Sequence, residues 1–405
     1  MTPTEILKRR ALALGFDAVG VAAVSPLEAV AHYEAWLAAG FHGGMDWLAS
    51  EKHVARRRDP SLLVRDLRAV VCVALCHAPD ADPARDRRLG RIARYAAGED
   101  YHRVMKDGLL ALERFVQREL FPGSRSLWWS DTGAILERGW AVRAGLGWTG
   151  KHAGVLSRER GSWFLLGELL VDRPLDPDPP ADADHCGTCT RCLDACPTRA
   201  IVAPYRVDAR LCISYLTIEH RGAIPRHLRP LVGDWVFGCD VCQEVCPWNR
   251  FAPPARQARL HARAYDGWSL ERFLAMSEAE FHAVFATSPI RRAGRAGFAR
   301  NVCVALGNRG EGAAVPALAA ALARDPAPLV RGHAAWALGE IARRAGPAAG
   351  AGETPPPGAE RAPGAPPAAG ARAAALDALR AARADADGSV RDEVEGALRA
   401  AATPA

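Results

Sequence analysis

The sequence predicts an α+β multidomain protein built from three units. Residues 1–180 alternate apolar runs with helical patterns, which predicts an α/β domain. Residues 181–250 carry eight cysteines at metal-ligand spacing, which predicts a ferredoxin-like domain with two [4Fe–4S] clusters. Residues 251–405 repeat a helical pattern, which predicts a HEAT-like α-solenoid. A chain of 405 residues is also too long for one ordinary domain.

Composition places the chain among globular proteins, because 49% of its residues are hydrophobic and 24% are charged. The formal net charge of +6 permits a polyanionic partner without identifying one. Neither a signal peptide nor an apolar run of about 18 residues is present, so we expect no contact with a membrane. Cysteines at metal-ligand spacing in a chain without a signal peptide favour the reducing cytoplasm over a secreted disulfide scaffold.

Two apolar runs and three helical patterns define the first unit. The predicted elements are helices from Thr4 to about Leu14, over about 26–39 and over about 104–120, and strands over 18–24 and 69–78. Cys72 and Cys76 lie inside the second apolar run. Free cysteine packs as a small hydrophobe, so we expect these two in the core rather than as metal ligands. A Pro- and Asp-rich linker, DRPLDPDPPADAD (172–184), ends the unit.

The cysteines of the middle unit follow the spacing of two-cluster ferredoxins. The first run is Cys186-x₂-Cys189-x₂-Cys192-x₃-Cys196-Pro197, and the second is Cys239-x₂-Cys242-x₃-Cys246-Pro247, with Cys212 upstream of it. In this arrangement the cysteine before proline ligates the opposite cluster. Cluster one is therefore Cys186, Cys189, Cys192 and Cys246, and cluster two is Cys196, Cys212, Cys239 and Cys242. Zinc is the alternative, since CxxC pairs also build zinc sites, but two Cys-Pro endings and eight ligands favour the clusters.

A repeat marks the helical unit. Segments 325–338 and 385–398 match at an offset of 60 residues, and 300–308 resembles a degenerate third copy. We expect the Gly-, Ala- and Pro-rich segment 345–371 to be a disordered insertion, and its removal brings the spacing close to one helical hairpin. Alanine-rich helices that match only by composition are the alternative. Cys303 falls on an apolar face, so we expect it in the core.

Three segments of the first unit combine polar residues with small and aromatic ones: ARYAAGEDYH (93–102), WWSDTGAILER (128–138) and AGLGWTGKH (144–152). Asp131 is either a turn or cap residue, or a partly desolvated carboxyl with a raised pKa that delivers protons. Lys151 is either an anion ligand or a solvated loop charge. No GxGxxG follows a strand and no Asp-x-His-x-x-Gly occurs, so neither a dinucleotide fold nor histidine-ligated cobalamin is supported.

Taken together, these motifs resemble the epoxyqueuosine reductase family. The resemblance rests on segments in order from about residue 90 to 249: GRIARYAAGEDYH, DTGAILER, AGLGWTGKH, HCGTCTRCLDACPTRAI, CISYLTIEHRGAIP and GCDVCQEVCPWN. It implies reduction of the epoxide of epoxyqueuosine, at the wobble position of tRNA, to the alkene of queuosine. It also implies cobalamin held without a protein histidine, a relation to reductive dehalogenases, and HEAT-like repeats at the end of some members.

The same resemblance assigns roles to residues of this chain. Asp131 would be the catalytic proton donor. Cobalamin would contact Arg57, Ala93, Asp131, Val155, Leu166, Leu169, Ser214 and Asp240. The tRNA anticodon stem-loop would contact Arg138, Ser157, His220 and Arg221. Residues 1–180 would then be the cobalamin-binding catalytic domain of a cytoplasmic monomer, and an external low-potential electron donor would supply the clusters.

The helical unit supports RNA binding independently of the resemblance. Residues 251–345 hold thirteen arginines and no lysine against seven acidic residues, and Arg291, Arg292, Arg295 and Arg300 crowd its start. Arginine pairs with phosphate and stacks on unpaired bases, although a solvated basic face in an arginine-rich proteome gives the same pattern. Two other functions remain open at this point: a cobalamin-dependent reductase or dehalogenase of a small molecule, and a ferredoxin-like carrier fused to an interaction scaffold.

Overall fold

A computed structural model describes residues 1–78, 89–181, 183–261, 265, 267–346 and 368–402. Its first part is a sheet with helices on both faces. The elements of this part are α1 (Pro3–Ala13), β1 (Ala18–Ala23), α2 (Ala29–Ala38), α3 (Asp46–Ala49), α4 (Glu51–Arg58), β2 (Ala69–Cys76), β3 (Arg91–Ile92), α5 (Tyr101–Phe115), β4 (Ser126–Trp129), α6 (Glu137–Arg143), β5 (Trp148–Thr149), β6 (Val155–Leu156) and β7 (Phe164–Val171).

The main sheet has the order β1-β2-β7-β4, and each of its neighbouring pairs is antiparallel. The prediction of an α/β unit is therefore wrong in the strict sense, because α/β units carry parallel strands joined by crossover helices. Periodicity identified buried strands but held no information about their direction. The helix bounds agree with the sequence to within a few residues, and the last predicted helix continues as a π-helical turn over Val116–Leu120.

Alternate residues of the sheet build two cores. One face packs Val71 and Leu169 against α1 and α5, and the other packs Cys72 and Leu170 against Trp140 of α6. Strand β2 is buried along its whole length, as expected for a central strand covered on both faces. The core prediction for Cys72, Cys76 and Cys303 is confirmed, since all three are buried.

The first helix is capped by Thr2 rather than by Thr4. Thr2 and Glu5 form a reciprocal capping box, which satisfies two backbone donors at the helix start. Thr4 is buried in the first turn of the helix, and its hydroxyl accepts a hydrogen bond from the Asp176 backbone N–H at 2.8 Å. Thr2 and Thr4 both precede helical residues, so sequence alone could not rank them.

The cysteine-rich part is fastened to the sheet unit by a strand pair. Its elements are α7 (Arg191–Ala195), β8 (Ile201–Ala203), β9 (Arg206–Val207), α8 (Ile213–Ile218), α9 (Arg229–Val232), β10 (Trp235–Phe237) and α10 (Val241–Glu244). Strand β10 runs parallel to β3 of the first part. Beside it, Arg91 forms a bidentate ion pair with Glu244 at 2.7 and 2.8 Å, and the Arg94 N–H donates to Asp240 at 2.8 Å. These contacts fix the cysteine loops relative to the sheet.

The C-terminal part is a helical stack. Its helices are α11 (Leu270–Leu274), α12 (Glu278–Val284), α13 (Gly294–Arg309), α14 (Val315–Arg324), α15 (Pro328–Arg344), α16 (Ala368–Ala381) and α17 (Gly388–Ala402). Helices α13, α15 and α17 pack side by side. An ion pair repeats between successive layers: Arg295 with Asp325, and Arg331 with Asp385. The repeat found in the sequence therefore corresponds to a repeated unit of the structure. The predicted disordered insertion falls mainly on residues 347–367, which lie outside the described part of the chain.

The chain beyond residue 250 does not join the helical stack at once. The Ala255 N–H donates to the Ala78 carbonyl at 2.8 Å, and Arg259 pairs with Glu99 and Asp107 of the first part. The segment after residue 250 therefore connects the sheet unit to the helical stack. Within the described residues, no helix combines the length and the apolar character needed to cross a membrane.

Replacing Asp325 by Asn should lower the free energy of unfolding by about 3 kcal/mol, because it removes the buried charge partner of the Arg295 guanidinium and leaves only the exposed Glu278, 3.6 Å away. Chemical denaturation measures this loss. Asp377→Asn is the matched control, since the Asp377–Arg380 pair is exposed and should contribute little. Equal stability of the two variants would show that the interlayer pair does not stabilise the stack.

Candidate active site and cluster centres

A cavity of about 2090 Å³ lies where the three parts meet. This is roughly twice the upper end of pockets that hold small ligands, about 1,000 Å³, so the cavity suits a large ligand. Residues from every part line it: Arg57, Asp131, Arg138, Cys196, Cys212, Ser214, Cys239, Cys242, Arg291 and Arg292. Three of the predicted catalytic and cofactor-binding residues therefore line the same cavity as four of the predicted cluster ligands.

Asp131 sits on the loop between β4 and α6. Its φ of 62° lies in the left-handed region, which costs energy for a residue with a side chain and is tolerated best by Asn and Asp. Three bonds hold this conformation: the Ser130 hydroxyl donates to the Leu166 carbonyl at 2.7 Å, the Thr132 N–H donates to the Ser130 carbonyl at 2.7 Å, and the Asp131 N–H donates to Glu137. The loop aims the carboxylate, 63% exposed, into the cavity.

The Asp131 carboxylate faces two proton-bearing side chains. Its Oδ2 accepts from the Tyr101 hydroxyl at 2.8 Å and lies 3.4 Å from His102 Nε2, while His102 Nδ1 lies 2.7 Å from Asp100. Burial alone would lower the pKa of His102, but the two carboxylates outweigh it and raise that pKa to about 9. At neutral pH His102 is therefore a cation between two anions.

The pKa of Asp131 is lowered, which corrects the expectation of a raised one. The protein around the cavity partly desolvates the carboxylate, which acts to raise its pKa, but the hydrogen bonds from His102 and Tyr101 outweigh this effect. The sequence placed two tryptophans beside Asp131, which suggested an apolar surrounding. It did not show that His102 folds against the carboxylate. In this pair, the imidazolium holds the proton at neutral pH.

Behind the loop, the carboxyl groups of Glu168 and Glu137 face each other. Glu168 is fully buried in β7, and its carboxyl faces Glu137 at the start of α6. Burial and the neighbouring negative charges raise the pKa of Glu168, and they raise the pKa of Glu137 to about 7. The sequence signal was a lone acidic residue in the apolar strand FLLGELLV, which sequence reasoning passed over.

Among the described residues, three buried polar atoms at the cavity have no hydrogen-bond partner: the donors Arg57 Nη1 and His152 Nε2, and the acceptor Glu219 Oε2. The Arg57 guanidinium lies over the Tyr33 ring and donates from Nη2 to the Gly133 carbonyl at 3.4 Å. His152 Nδ1 accepts from the Gly154 N–H, which leaves the proton on Nε2. A buried donor without a partner costs about 1–3 kcal/mol, so the two donors indicate a bound ligand that supplies acceptors.

Other predicted cofactor contacts lie away from this lining. Ala93 and Asp240 are buried where β3 meets β10, behind the cavity wall. Val155 is buried in the strand pair of β5 and β6. Leu166 offers its carbonyl to Ser130, whereas the Leu169 side chain is buried in the core under α5. The structure thus brings Arg57, Asp131 and Ser214 together in the cavity and leaves these five outside its described lining.

The predicted tRNA contacts divide in the same way. Arg138 is exposed at the cavity, and Arg221 is exposed and donates to the Arg292 carbonyl at 2.7 Å. His220 is half-buried against the Ala223 carbonyl, and Ser157 is buried, with its hydroxyl donating to Glu159 at 2.9 Å.

Two of the arginines that suggested RNA binding in the sequence are buried and hold helices together. Arg295 is buried in its ion pair with Asp325, and Arg300 is buried while donating to the carbonyls of Leu216, His220 and Gly222. The expectation of a four-arginine surface is therefore wrong for these two positions, because both guanidinium groups are used to join helices. Arg291 and Arg292 remain exposed and line the cavity.

The eight cysteines form two groups with the membership read from the sequence. Cys186, Cys189, Cys192 and Cys246 line a second cavity of about 320 Å³, and Cys196, Cys212, Cys239 and Cys242 line the large one. Lys151 Nζ donates to the Cys189 carbonyl at 3.0 Å and also to Gly187, so it braces the first cysteine loop. The sequence had suggested an anion ligand or a solvated loop charge for Lys151, and it did not predict these contacts with the cysteine loop.

In neither group do the thiols converge on one point. Across the described part of the chain, no group of three or more His, Cys, Asp and Glu side chains is close enough to hold a single metal ion. A cubane takes one thiolate on each of four irons, so it needs a wider ring of ligands than one ion does. Each of the two groups supplies four cysteines, the number of thiolates that one cubane takes.

Three family profiles match the chain. Residues 57–132 match "Epoxyqueuosine reductase QueG, DUF1730", residues 185–249 match a "4Fe-4S double cluster binding domain", and residues 290–351 match "HEAT repeats". The second match identifies the cysteine groups as iron–sulfur sites, and the third confirms the HEAT prediction.

Characterised relatives match along most of the chain. The epoxyqueuosine reductase of Pseudomonas aeruginosa is 46% identical over 333 residues, which cover 80% of this chain and 91% of that protein. The epoxyqueuosine reductase of Escherichia coli is 40% identical over 343 residues, which cover 84% of this chain and 89% of that protein.

Solved structures match the whole fold. An epoxyqueuosine reductase crystallised with an epoxyqueuosine-modified tRNA-Tyr stem loop superposes with a TM-score of 0.84 at 28% identity, covering 98% of both chains. The Bacillus subtilis epoxyqueuosine reductase superposes with a TM-score of 0.83 at 28% identity, again over 98% of both chains, and in that structure the loop of its catalytic aspartate is swung out of the active site.

NMR titration of the histidine rings should place the pKa of His102 near 9. Because the cation is favoured in the folded protein, this pair stabilises the fold fully below the unfolded pKa of about 6.5. That stability is lost as the pH rises through about 9. The resonance is assigned by its absence in His102→Gln, and Asp131→Asn should lower the pKa. A wild-type value at or below 6.5 would contradict the ion pair.

Proposed function

The chain belongs to the epoxyqueuosine reductase family, and we propose that it reduces the epoxide of epoxyqueuosine in tRNA at the large cavity, using cobalamin and the two [4Fe–4S] clusters. The reaction is the final step of queuosine biosynthesis, and the protein is an oxidoreductase that acts on tRNA. The proposal for the site rests chiefly on one observation: Asp131 and four cysteines of one group line the same cavity.

Electrons reach the substrate through the clusters. Reduction of an epoxide to an alkene needs two electrons, and side chains do not supply electrons of low potential. The group of Cys196, Cys212, Cys239 and Cys242 lines the substrate cavity, whereas the other group lines a separate cavity edged by Arg191 and Arg250. We assign the inner group to the cluster that reduces the site. The outer group would receive electrons from an external donor.

The cavity fits cobalamin by size and by chemistry. When bound, cobalamin supplies a metal centre that takes electrons from the clusters and passes them to the substrate. Arg57 Nη1 and His152 Nε2 are buried donors without a partner among the described residues, and the amide side chains of the corrin and the phosphate of the nucleotide tail of cobalamin are acceptors that would satisfy such donors. Ser214, at the start of α8 beside Cys212, offers a hydroxyl on the opposite wall.

Asp131 delivers the proton that the substrate oxygen needs. As the epoxide C–O bond breaks, negative charge develops on the oxygen, and a positioned acid stabilises that charge in the transition state. Asp131 is a carboxylate at rest, so its proton comes from the His102 imidazolium 3.4 Å away. Asp100 holds His102 in place from the other ring nitrogen. The aspartate–histidine pair therefore acts as one acid.

The tRNA is bound by arginines at the rim of the cavity. Arg138, Arg291 and Arg292 line it with exposed side chains, and Arg221 lies against Arg292. Guanidinium groups pair with phosphates and stack on unpaired bases, which suits an anticodon loop whose wobble base enters the cavity. Ser157 and His220 would need to change their present contacts to reach the RNA.

Asp131→Asn should keep the clusters and the cofactor but lower turnover by about 10²- to 10⁴-fold, because the amide donates no transferable proton. Turnover is measured by mass spectrometry of the nucleoside released from an epoxyqueuosine-modified stem loop. Asp66→Asn is the matched control, since Asp66 has a similar φ of 59° on an exposed turn. Near wild-type turnover of Asp131→Asn would exclude the proton-donor role.

Arg291→Ala should weaken binding of the modified stem loop and reduce the dependence of log Kd on log salt by about 1, as expected for one lost phosphate contact. Fluorescence anisotropy at several salt concentrations measures both. Arg118→Ala removes an exposed arginine that does not line the cavity and serves as the control. A stem-loop affinity that does not change with salt concentration, or equal binding by both variants, would contradict the proposed RNA interface.

A further inference from the structure

Glu168 is the most unusual carboxyl group among the described residues. It lies in the middle of β7, has no solvent exposure, and neither of its oxygens has a hydrogen-bond partner of regular geometry in the described chain. In the sheet it pairs with Cys72 on one side and Trp129 on the other. A buried, unpaired carboxylate is very costly, so this side chain holds a proton in the folded protein.

Glu137 connects Glu168 to the catalytic loop. It is the first residue of α6, which packs on β7, and its carboxyl faces Glu168. The same carboxyl accepts the backbone N–H of Asp131 and lines the large cavity. The other charged or titratable groups that act on this pair are Asp131, Arg138 and the Cys72 thiol. Glu168 and Glu137 therefore extend from the core of the sheet to the loop that carries Asp131, and both the Glu137 and Asp131 side chains line the cavity.

The chemistry requires a second proton. Breaking both C–O bonds of the epoxide and forming the C=C bond consumes two electrons and two protons, and it releases the oxygen as water. The first proton converts the developing alkoxide to a hydroxyl group, and the second allows that hydroxyl to leave as water. His102 and Asp131 together supply only one, because Asp131 is a carboxylate at rest.

We propose that Glu168 and Glu137 are a proton-holding pair that returns a proton to Asp131 between the two C–O cleavage steps. Glu137 transfers its proton to the Asp131 carboxylate, Glu168 replaces the proton of Glu137, and solvent in the open cavity restores the pair after water leaves. Both glutamates are positioning residues, since they act through Asp131. The inference rests on the proposed function and deepens it by naming the source of the second proton.

The test uses Glu168→Gln in the full-length holoenzyme. Glutamine keeps the shape of the side chain but cannot donate a proton to a carboxylate. We expect turnover of the modified stem loop to fall about 10- to 100-fold at pH 8 and to recover toward the wild-type rate at pH 6, where solvent protonates Glu137 directly. Stem-loop affinity should not change. Glu119→Gln, an exposed carboxyl outside the cavity, should match the wild type at both pH values.

An infrared titration gives a readout that does not depend on turnover. The wild-type protein should keep the carbonyl stretch of a protonated carboxylic acid above pH 7, and Glu168→Gln should lose it. Should Glu168→Gln fail to fold, Glu137→Gln decides the question, because its amide carbonyl still accepts the Asp131 N–H while its proton is gone. The same loss of turnover at pH 8 is then expected.

Absence of a protonated carboxyl above pH 7 in the wild-type protein would overturn the inference, as would a loss of turnover in Glu168→Gln that is equal at pH 6 and pH 8, which a purely structural role predicts. Normal turnover of the glutamine variants at pH 8 would overturn it too. Failure of the wild-type enzyme to convert the stem loop would instead contradict the proposed function, so the two failures are distinguishable.

Discussion

The packing of the cysteine-rich part against the sheet is the constraint on which the site depends. Strand β10 adds to β3, the Arg91–Glu244 ion pair lies beside it, and Asp240 accepts the Arg94 N–H. These contacts hold one group of cysteines on the wall that Asp131 faces. Electron transfer falls steeply with distance, and proton transfer needs contact. A site that couples electron transfer to proton transfer therefore requires the cysteine-rich part and the sheet unit to be fixed to each other. A flexible linker alone would not hold them in place.

Neighbouring charges decide which side chain of the site holds a proton. Asp131 is an anion because His102 and Tyr101 donate to it, and His102 is a cation because two carboxylates flank it. The loop conformation at φ 62° stores some strain, and the Glu137 carboxyl maintains it by accepting the loop N–H. The same helix α6 thus holds the catalytic loop, borders the cavity with Arg138 and covers Glu168.

Local sequence patterns predicted most of the fold and the grouping of the eight cysteines around two cavities. Cysteine spacing gave both groups, since cubane ligation is a property of short loops, and the HEAT repeat was visible as Asp325 and Asp385 at equal phase. Strand direction could not be read, because periodicity is the same in both directions. The role of Arg295 and Arg300 could not be read either, because a guanidinium in a salt bridge and one on a surface look alike in sequence. His102 and Glu168 were visible but could be interpreted only once the fold brought them to Asp131 and Glu137.

Our central claim is that the two iron–sulfur clusters, the corrin and Asp131 act together at one site of this protein. Metal and corrin analysis of anaerobically purified, reconstituted protein tests it most directly. Two [4Fe–4S] clusters correspond to about eight irons per chain, and we expect these together with about one equivalent of cobalt and the absorbance of a corrin. About four irons per chain, or no corrin retained after reconstitution, would contradict the account.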